Sequence, residues 1–453
     1  MNPPKRFALF LTLLATALGG ADIRRPNILV IVSDDHGYAD VGFNGGKVVP
    51  TPHLDALAAS GVRCTSGYVS HPFCSPTRAG LLTGRYQQRF GHENNPAHDP
   101  KNPALGLPLS EKLLPQYLQE AGYRTGWIGK WHLGATPAQA PWNRGFEQTY
   151  GFIGGGHMFS GWAINEQKEY NVPLTRNGKP TTDTPTHLTE ALGREAANFI
   201  QKKDGKPWML YLAFNAPHTP HQPTAEREQK FAGITDPVRR KCLAQISLLD
   251  DAIGMVTQAL AASGQTQDTL VFFFSDNGGT PATLGADNTP LRGNKGLLYE
   301  GGIRVPFVVS WPAQLKPGST YAESVSSLDV ATTALAVAGA PLPKERPLDG
   351  VDLIPHLKGQ ATSPLLRPLF WRIGGGQSFA MRSGPWKLVR IGKQPDELYD
   401  LSADLSETKN LAAAQPEIVR RLSDELARWN KQLIDPLFAS PQGSKATDKK
   451  AKK

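Results

Sequence analysis

The chain carries a cysteine at the head of a short segment that reads Cys74-Ser75-Pro76-Thr77-Arg78-Ala79-Gly80-Leu81-Leu82-Thr83-Gly84. Pro76 suits a first helical turn and Gly84 suits its end. The spacing predicts a helix with Cys74 at its N-terminus, where the dipole and free N–H groups favour an anion. Oxygen donors follow two apolar runs: Asp34 and Asp35 after Asn27 to Ser33, and Asp276 and Asn277 after Leu270 to Ser275. Adjacent carboxylates at a strand end repel one another without a cation. A set made only of oxygen donors suits calcium or magnesium rather than zinc. Two further runs end in proton carriers and cations: Thr125 to Gly129 leads into Lys130 and His132, and Leu210 to Phe214 leads into Asn215 and His218.

The elements that must position these groups are strands. Near-continuous apolar runs read as strands buried on both faces, and in α/β sheets ligands bind beyond the carboxyl ends of such strands. Four runs therefore deliver their polar residues to one edge. Helical spacing lies between them, at His53 to Ser60, Ser110 to Ala121, His187 to Lys202, Val238 to Ala262 and Ser326 to Ala338. The alternation argues for an α/β fold with a mainly parallel sheet sandwiched by helices. From about Pro364 the texture changes. Short strands (Leu369 to Ile373, Ser378 to Arg382, Trp386 to Ile391, Leu398 to Leu401) alternate with Gly- and Asp-rich turns, and an amphipathic helix from Pro416 to Ile434 follows. This predicts a smaller antiparallel sheet with one packing helix.

Length and composition bound the rest. At 453 residues the chain suits one large domain plus a smaller unit. Lys5 and Arg6 precede an apolar run, Phe7 to Leu18, and small residues through Ala21, which reads as a signal peptide and predicts a periplasmic or secreted protein. That run is short for a bilayer, and no later segment reads as a membrane span. The expected division is 1–21 signal peptide, 22–363 catalytic domain, 364–435 α+β subdomain and 436–453 basic disordered tail. Of the formal charge of +9, Lys5 and Arg6 supply two and the last twelve residues, with five Lys and one Asp, supply four. The remaining +3 gives no ground for nucleic-acid binding. Three cysteines, Cys64, Cys74 and Cys242, do not make a disulfide scaffold.

The string from Cys74 to Arg85 resembles the signature of the formylglycine-dependent sulfatases, in which Cys-x-Pro-Ser/Thr-Arg directs oxidation of the cysteine. The resemblance extends in family order through Asn27 to Asp40, Gly129 to Gly134, Asn215 to His218, Ser275 to Gly279, Lys295 within Arg-Gly-Asn-Lys-Gly, and Gly301 to Pro306. The blocks Gly384 to Leu388 and Glu397 to Asp400 resemble the family's small domain. It implies an alkaline-phosphatase-like fold and hydrolysis of sulfate esters. It also implies one calcium ion held by Asp34, Asp35, Asp276 and Asn277, with residue 74, oxidised to formylglycine by a formylglycine-generating or maturase enzyme, as a further ligand. By analogy one hydroxyl of hydrated formylglycine attacks sulfur, and the second, on losing its proton, lets the aldehyde re-form and sulfate leave. Arg78 and Lys130 then orient and stabilise residue 74, Lys295 binds sulfate, His132 serves as base and His218 as leaving-group acid.

The resemblance covers bacterial polysaccharide-degrading and hexosamine-sulfate branches as well as simple arylsulfatases, so a sulfated carbohydrate is the expected substrate. Polar and aromatic residues in loops, His92, Glu93, Asn94, His157 and Trp162, are the candidates to meet a sugar. Two other readings stand beside this one: a phosphonate or phosphodiester hydrolase on the same scaffold, and an inactive sugar-binding protein.

Overall fold

The computed structural model describes residues 25–160 and 168–439. The expected signal peptide, Trp162 and the last fourteen residues of the expected tail lie outside them.

Ten strands form the main sheet, in the spatial order Ser319–Tyr321, Val62–Cys64, Phe307–Ser310, Thr269–Ser275, Asn27–Ser33, Trp208–Ala213, Arg124–Lys130, Gln148–Phe152, Thr175–Arg176 and Lys179–Pro180. From Thr269–Ser275 to Gln148–Phe152 every neighbouring pair is parallel. These strands are apolar along most of their length because both faces are covered. In Asn27–Ser33, Ile28, Val30 and Val32 enter one core and Leu29 and Ile31 the other. The first core is closed by the helices Cys74–Thr83, Leu114–Glu120 and Asp329–Val337. The second is closed by Pro52–Ala59, Leu188–Gln201 and Pro237–Ala262. No helix among the described residues is long and apolar enough to cross a membrane.

Three helices are shorter than their spacing predicts: the last, expected to reach Ile434, ends at Asn430, and two begin late. The one expected from Ser110 begins at Leu114, with Leu113 extended before it at φ −100°, ψ 155° and Pro115 in the first turn, where its missing N–H costs nothing. The one expected from Ser326 begins at Asp329. Ser326 pairs with Tyr68 in a two-stranded sheet, and its N–H donates to the Asp329 carboxylate at 2.7 Å.

The smaller sheet is antiparallel, ordered Leu369–Ile373, Ser378–Ser383, Trp386–Ile391, Glu397–Asp400, and the helix Pro416–Asn430 packs against it. It shares its cores with the main body. Trp429 stacks on Phe370 at 5.0 Å and meets Tyr86, from the main body, edge-on at 5.2 Å. Trp371 donates its indole N–H to the Val69 carbonyl at 2.7 Å. Trp429→Ala therefore opens the junction as well as the small core, and should cost about 3–5 kcal/mol. A urea midpoint unchanged from wild type would show that the junction does not carry this load.

Candidate active site

The parallel strands end at one edge and their next residues form a single charged cluster. Asn27–Ser33 and Thr269–Ser275 pair in register up to Ser33 opposite Ser275, so Asp34 and Asp276 emerge side by side. The Asp276 N–H donates to the Ser33 carbonyl at 3.0 Å, which carries the pairing one residue further. Asp35 then turns into the left-handed region, φ 61°, and its N–H donates to Asp276 Oδ1 at 3.2 Å. His132, two residues beyond its strand, is left-handed too, at φ 60°. Two such strained residues at one sheet edge are a mark of a functional site.

Cys74 opens the helix Cys74–Thr83, with Phe73 as its cap and Gly84 left-handed at its end, φ 67°. The thiol lies 3.2 Å from Lys295 Nζ and 3.8 Å from Asp35 Oδ1. One turn along, Arg78 gives Nε and Nη2 to the same oxygen of Asp276, at 3.0 and 2.7 Å. Lys130 Nζ contacts Asp34 at 2.6 Å, and Lys295 Nζ contacts the two oxygens of Asp35 at 2.7 and 2.8 Å. Three buried carboxylates thus face three cations. Arg78, Lys130 and their acids are wholly buried, whereas Lys295 and His218 keep 16% and 15% of their side chains exposed. The opening of the site lies on that side.

The acceptor oxygens are not used up by these pairs. Asp34 Oδ1 and Asn277 Oδ1 are buried without a hydrogen-bond partner, although Asn277 Nδ2 donates to Asp35 at 2.6 Å. Ligand atoms of Asp34, Asp35, Cys74 and Asp276 all lie within 4.8 Å of one another. Buried, converging and partly unpartnered oxygens are what a hard cation requires.

The charges set the protonation states. Burial raises Asp35, but Lys295 and then His218 outweigh it and hold the carboxyl well below its usual range. Burial and then Asp34 push Asp276 up to about 6 against the pull of Arg78. Burial, reinforced by Asp276, pushes the Cys74 thiol far up despite Lys130 and Lys295. Burial and then Lys130 and Arg78 push His132 well down. Burial takes His218 down to about 4, Asp35 opposing and Lys295 assisting. His218 Nδ1 donates to the Thr219 carbonyl at 2.8 Å, so Nε2 faces Asp35, 3.6 Å away.

All of Asp34, Asp35, Cys74, Arg78, Lys130, His132, His218, Asp276, Asn277 and Lys295 thus come together. Of the proposed sugar contacts among the described residues, His92, Glu93 and His157 are buried and Asn94 is half-buried, each with partners outside this cluster. His92 is fully buried behind the Cys74–Thr83 helix, 2.7 Å from Ser75 Oγ. Glu93 is buried and gives Oε2 to Arg372 at 2.6 and 3.0 Å. Asn94 donates to the Phe438 carbonyl at 2.8 Å. His157 is buried, its ring nitrogens against the carbonyls of Met158 and Val172 at 2.8 and 2.9 Å.

Other residues near the site carry little or no mark in the sequence. Ser75 donates to the His132 carbonyl at 2.5 Å and so holds the strained residue. Nothing in a bare serine signals that role. Arg372 had a visible signal, a lone charge inside the apolar strand Leu369–Ile373. The loop at Gly155 closes on His132: a Cβ there would lie 2.5 Å from His132 Nε2 and 2.6 Å from Glu169 Oε1, so any side chain would have to displace one of them.

Arg78→Ala would leave Asp276 buried without its paired cation, at a cost of about 3–5 kcal/mol. Adding Asp276→Asn should return part of that loss in urea denaturation, because the two changes are coupled. Strictly additive losses would refute the pairing.

A family model described as Sulfatase matches residues 26–340, and one described as N-sulphoglucosamine sulphohydrolase, C-terminal, matches residues 293–432. N-acetylgalactosamine-6-sulfatase of Mus musculus is 34% identical to the chain, covering 84% of it and 75% of its own length. Arylsulfatase A of Homo sapiens is 35% identical, covering 90% of the chain and 89% of its own. Among solved structures, Ps i-CgsB in complex with k-i-k-neocarrahexaose matches with a TM-score of 0.86 at 36% identity, covering 91% of this chain and 94% of that one. The fold shared with these neighbours is alkaline-phosphatase-like. The chain belongs to the sulfatase family and is a sulfuric ester hydrolase.

Proposed function

We propose that this enzyme hydrolyses sulfate esters of a sulfated carbohydrate, using a formylglycine made from Cys74 and one calcium ion at Asp34, Asp35, residue 74, Asp276 and Asn277. The observation that carries the reading is the setting of Cys74: a buried thiol kept protonated, at a helix N-terminus, with Lys295 at 3.2 Å and Asp35 at 3.8 Å. Hydrated formylglycine at that position supplies one hydroxyl to attack sulfur and a second whose deprotonation releases sulfate. Calcium held there would supply charge for sulfate oxygens and acidity to a hydroxyl of residue 74.

The chain's own residues divide the remaining work. Lys295, partly open to solvent on the cleft side, binds a sulfate oxygen by a charge-assisted hydrogen bond. Lys130 and Arg78 fix Asp34 and Asp276 and hold positive potential behind residue 74. His132 is neutral, and its unpartnered, buried Nδ1 makes it competent as a base. His218 stands on the open side, where a leaving alcohol departs. As an acid it needs a proton on Nε2. The negative charge of a bound sulfate ester offsets the repulsion from Lys295 and Lys130 and raises His218 from about 4.

A sulfated sugar is supported by the N-acetylgalactosamine-6-sulfatase relatives and by the neocarrahexaose named with Ps i-CgsB. The reading includes export to the periplasm or outside the cell, removal of residues 1–21, a catalytic domain 22–363 with a subdomain 364–435, and encounter with a formylglycine-generating or maturase enzyme.

Peptide mass spectrometry of the active enzyme should find an aldehyde at residue 74. Cys74→Ala should abolish turnover in a folded protein, and specific activity should track aldehyde content. Full activity from chains carrying only the thiol would end the proposal. Chelation should lower both activity and thermal midpoint, with calcium restoring both better than zinc; a midpoint indifferent to calcium would remove the ion.

The imidazoles are separable by leaving group. A sugar hydroxyl needs a proton in the transition state and a nitrophenolate needs little. His218→Ala should therefore reduce turnover of a sugar sulfate far more than that of nitrophenyl sulfate, while His132→Ala slows both. Equal losses on the two substrates in the His218 variant would exclude it as the acid.

A further inference from the structure

We infer that the small C-terminal sheet holds Lys295 in register with residue 74, with Arg292 as the positioning residue that ties the Lys295 loop to that sheet. The inference rests on the reading of Lys295 as the sulfate-binding cation.

Lys295 sits in a loop that has little stiffness of its own. Gly293 and Gly296 flank it at φ 84° and 86°, and glycines at such angles confer the widest conformational freedom. Its ends are joined, since Gly301 N–H donates to the Arg292 carbonyl at 2.7 Å, so the segment is a compact Ω-loop. Near the tip the main body supplies two backbone bonds, Lys295 N–H to the Gly279 carbonyl at 3.3 Å and Gly296 N–H to the Pro72 carbonyl at 2.9 Å.

The joined ends are gripped from the other side. Arg292 Nη1 donates to Tyr399 Oη at 2.8 Å and to the Glu407 carbonyl at 3.0 Å, and its guanidinium lies 3.8 Å over the Tyr299 ring. Tyr299 donates to Glu397 at 3.0 Å. Tyr399 and Glu397 belong to the last strand of the small sheet, and Glu407 lies just beyond its end. The N–H of Glu300 donates to the Glu407 carboxylate at 2.7 Å, and Lys387, wholly buried, bridges Glu300 and Glu407 at 2.9 and 2.8 Å. Leu298 is buried in the same core as Trp371, Val389 and Tyr399 of the sheet. The far side of the loop is therefore fixed by the small sheet and by Glu407 beyond its last strand, while the near side carries Lys295 to Asp35 and Cys74. A displacement of the sheet reaches the sulfate-binding cation through a short run of backbone.

Arg292 is the place to test this, because its side chain is 41% exposed and it touches neither Asp35 nor residue 74. Arg292→Ala is measured with nitrophenyl sulfate, with rates normalised to aldehyde content, and with free sulfate as a product inhibitor. The expected result is a rise of about tenfold in KM and an equal rise in the sulfate inhibition constant, with kcat changed much less, since misplacing a binding group by about 1 Å costs factors of this order or more. Tyr399→Phe, which removes one hydroxyl, should show the same pattern in smaller degree and guards against misfolding of the first variant. Arg390→Ala, which breaks a pair within the small sheet (Arg390 to Asp396, 2.6 Å), should leave KM and sulfate inhibition unchanged. Combining Arg292→Ala with Lys295→Ala should add nothing to Lys295→Ala alone. A full additional loss in the double variant, or an equal effect from Arg390→Ala, would overturn the inference while leaving the role of Lys295 intact. Normal sulfate inhibition in Lys295→Ala itself would overturn the reading on which the inference rests.

Discussion

The site is governed by electrostatic convergence at one sheet edge. Two parallel strands in register bring Asp34 and Asp276 out side by side, and Asp35 comes next in the chain. At about 4 Å, two like charges repel by about 4 kcal/mol even at an effective dielectric of about 20. Three such carboxylates out of water cannot stand without compensation. Each compensating cation comes from a different kind of element: Arg78 from a helix, Lys130 from a strand and Lys295 from a loop. The fold must therefore bring three independently built elements to one edge before the edge is tolerable. The left-handed backbone at Asp35 and His132 is maintained by that fit. It is also why acceptor oxygens remain unpartnered: the cations neutralise charge without satisfying every lone pair.

Neutralisation continues outward. His92 and Glu93, drawn from a loop with the look of a sugar-contact surface, stand behind the Cys74–Thr83 helix. There His92 meets Ser75 and Glu93 pairs with Arg372 of the small sheet. A buried carboxylate needs a partner and hydrogen bonds for both oxygens. Glu93 has both, since Oε1 accepts from the Gly375 N–H at 3.0 Å. Beyond its apolar junction with the main body, the small sheet thus reaches toward the site through Arg372 to the back of the helix and through Tyr399 and Lys387 to the Lys295 loop. In the proposed reading substrate selection falls to the open side, around Lys295, His218 and the Gly155 loop with Glu169, where side chains retain contact with solvent.

The parts of this arrangement that the sequence displays are those with a local cause. Buried parallel strands are apolar runs, and their ends are marked by the first charged residue, so Asp34, Lys130 and Asp276 are legible at once. Cys74 is marked as a helix start by Pro76 and Gly84. The edge pieces are not legible. Val62–Cys64 and Ser319–Tyr321 are three residues each, too short for any period, and owe their conformation to pairing, with each other and, for Val62–Cys64, with Phe307–Ser310. Phe307–Ser310 is antiparallel to Thr269–Ser275, an orientation that nothing in four residues encodes. The polar character of the loop is misleading at His92 and Glu93 for a related reason. Arg372, the partner of Glu93, lies 279 residues away in the chain, and His92 meets Ser75 behind the helix; only tertiary contact decides whether a polar residue faces water or a buried partner.

The same electrostatics bear on the choice of nucleophile. A pocket for an anionic ester must be dry and rich in positive charge, yet this one reaches neutrality only by burying three carboxylates beside the cations. Burial and Asp276 together disfavour a thiolate at residue 74, and Lys130 and Lys295 do not recover it. A thiol chemistry that needs a free anion conflicts with its own surroundings. Hydrated formylglycine, as proposed, avoids the conflict: it is neutral until attack, and it carries within one residue both the attacking hydroxyl and the hydroxyl whose proton loss expels sulfate. In that proposal the second hydroxyl would belong to residue 74 whatever the substrate's shape, so release would not depend on the leaving group. The chemistry of release is then set by the sheet edge, and the identity of the alcohol is left to the residues around the opening.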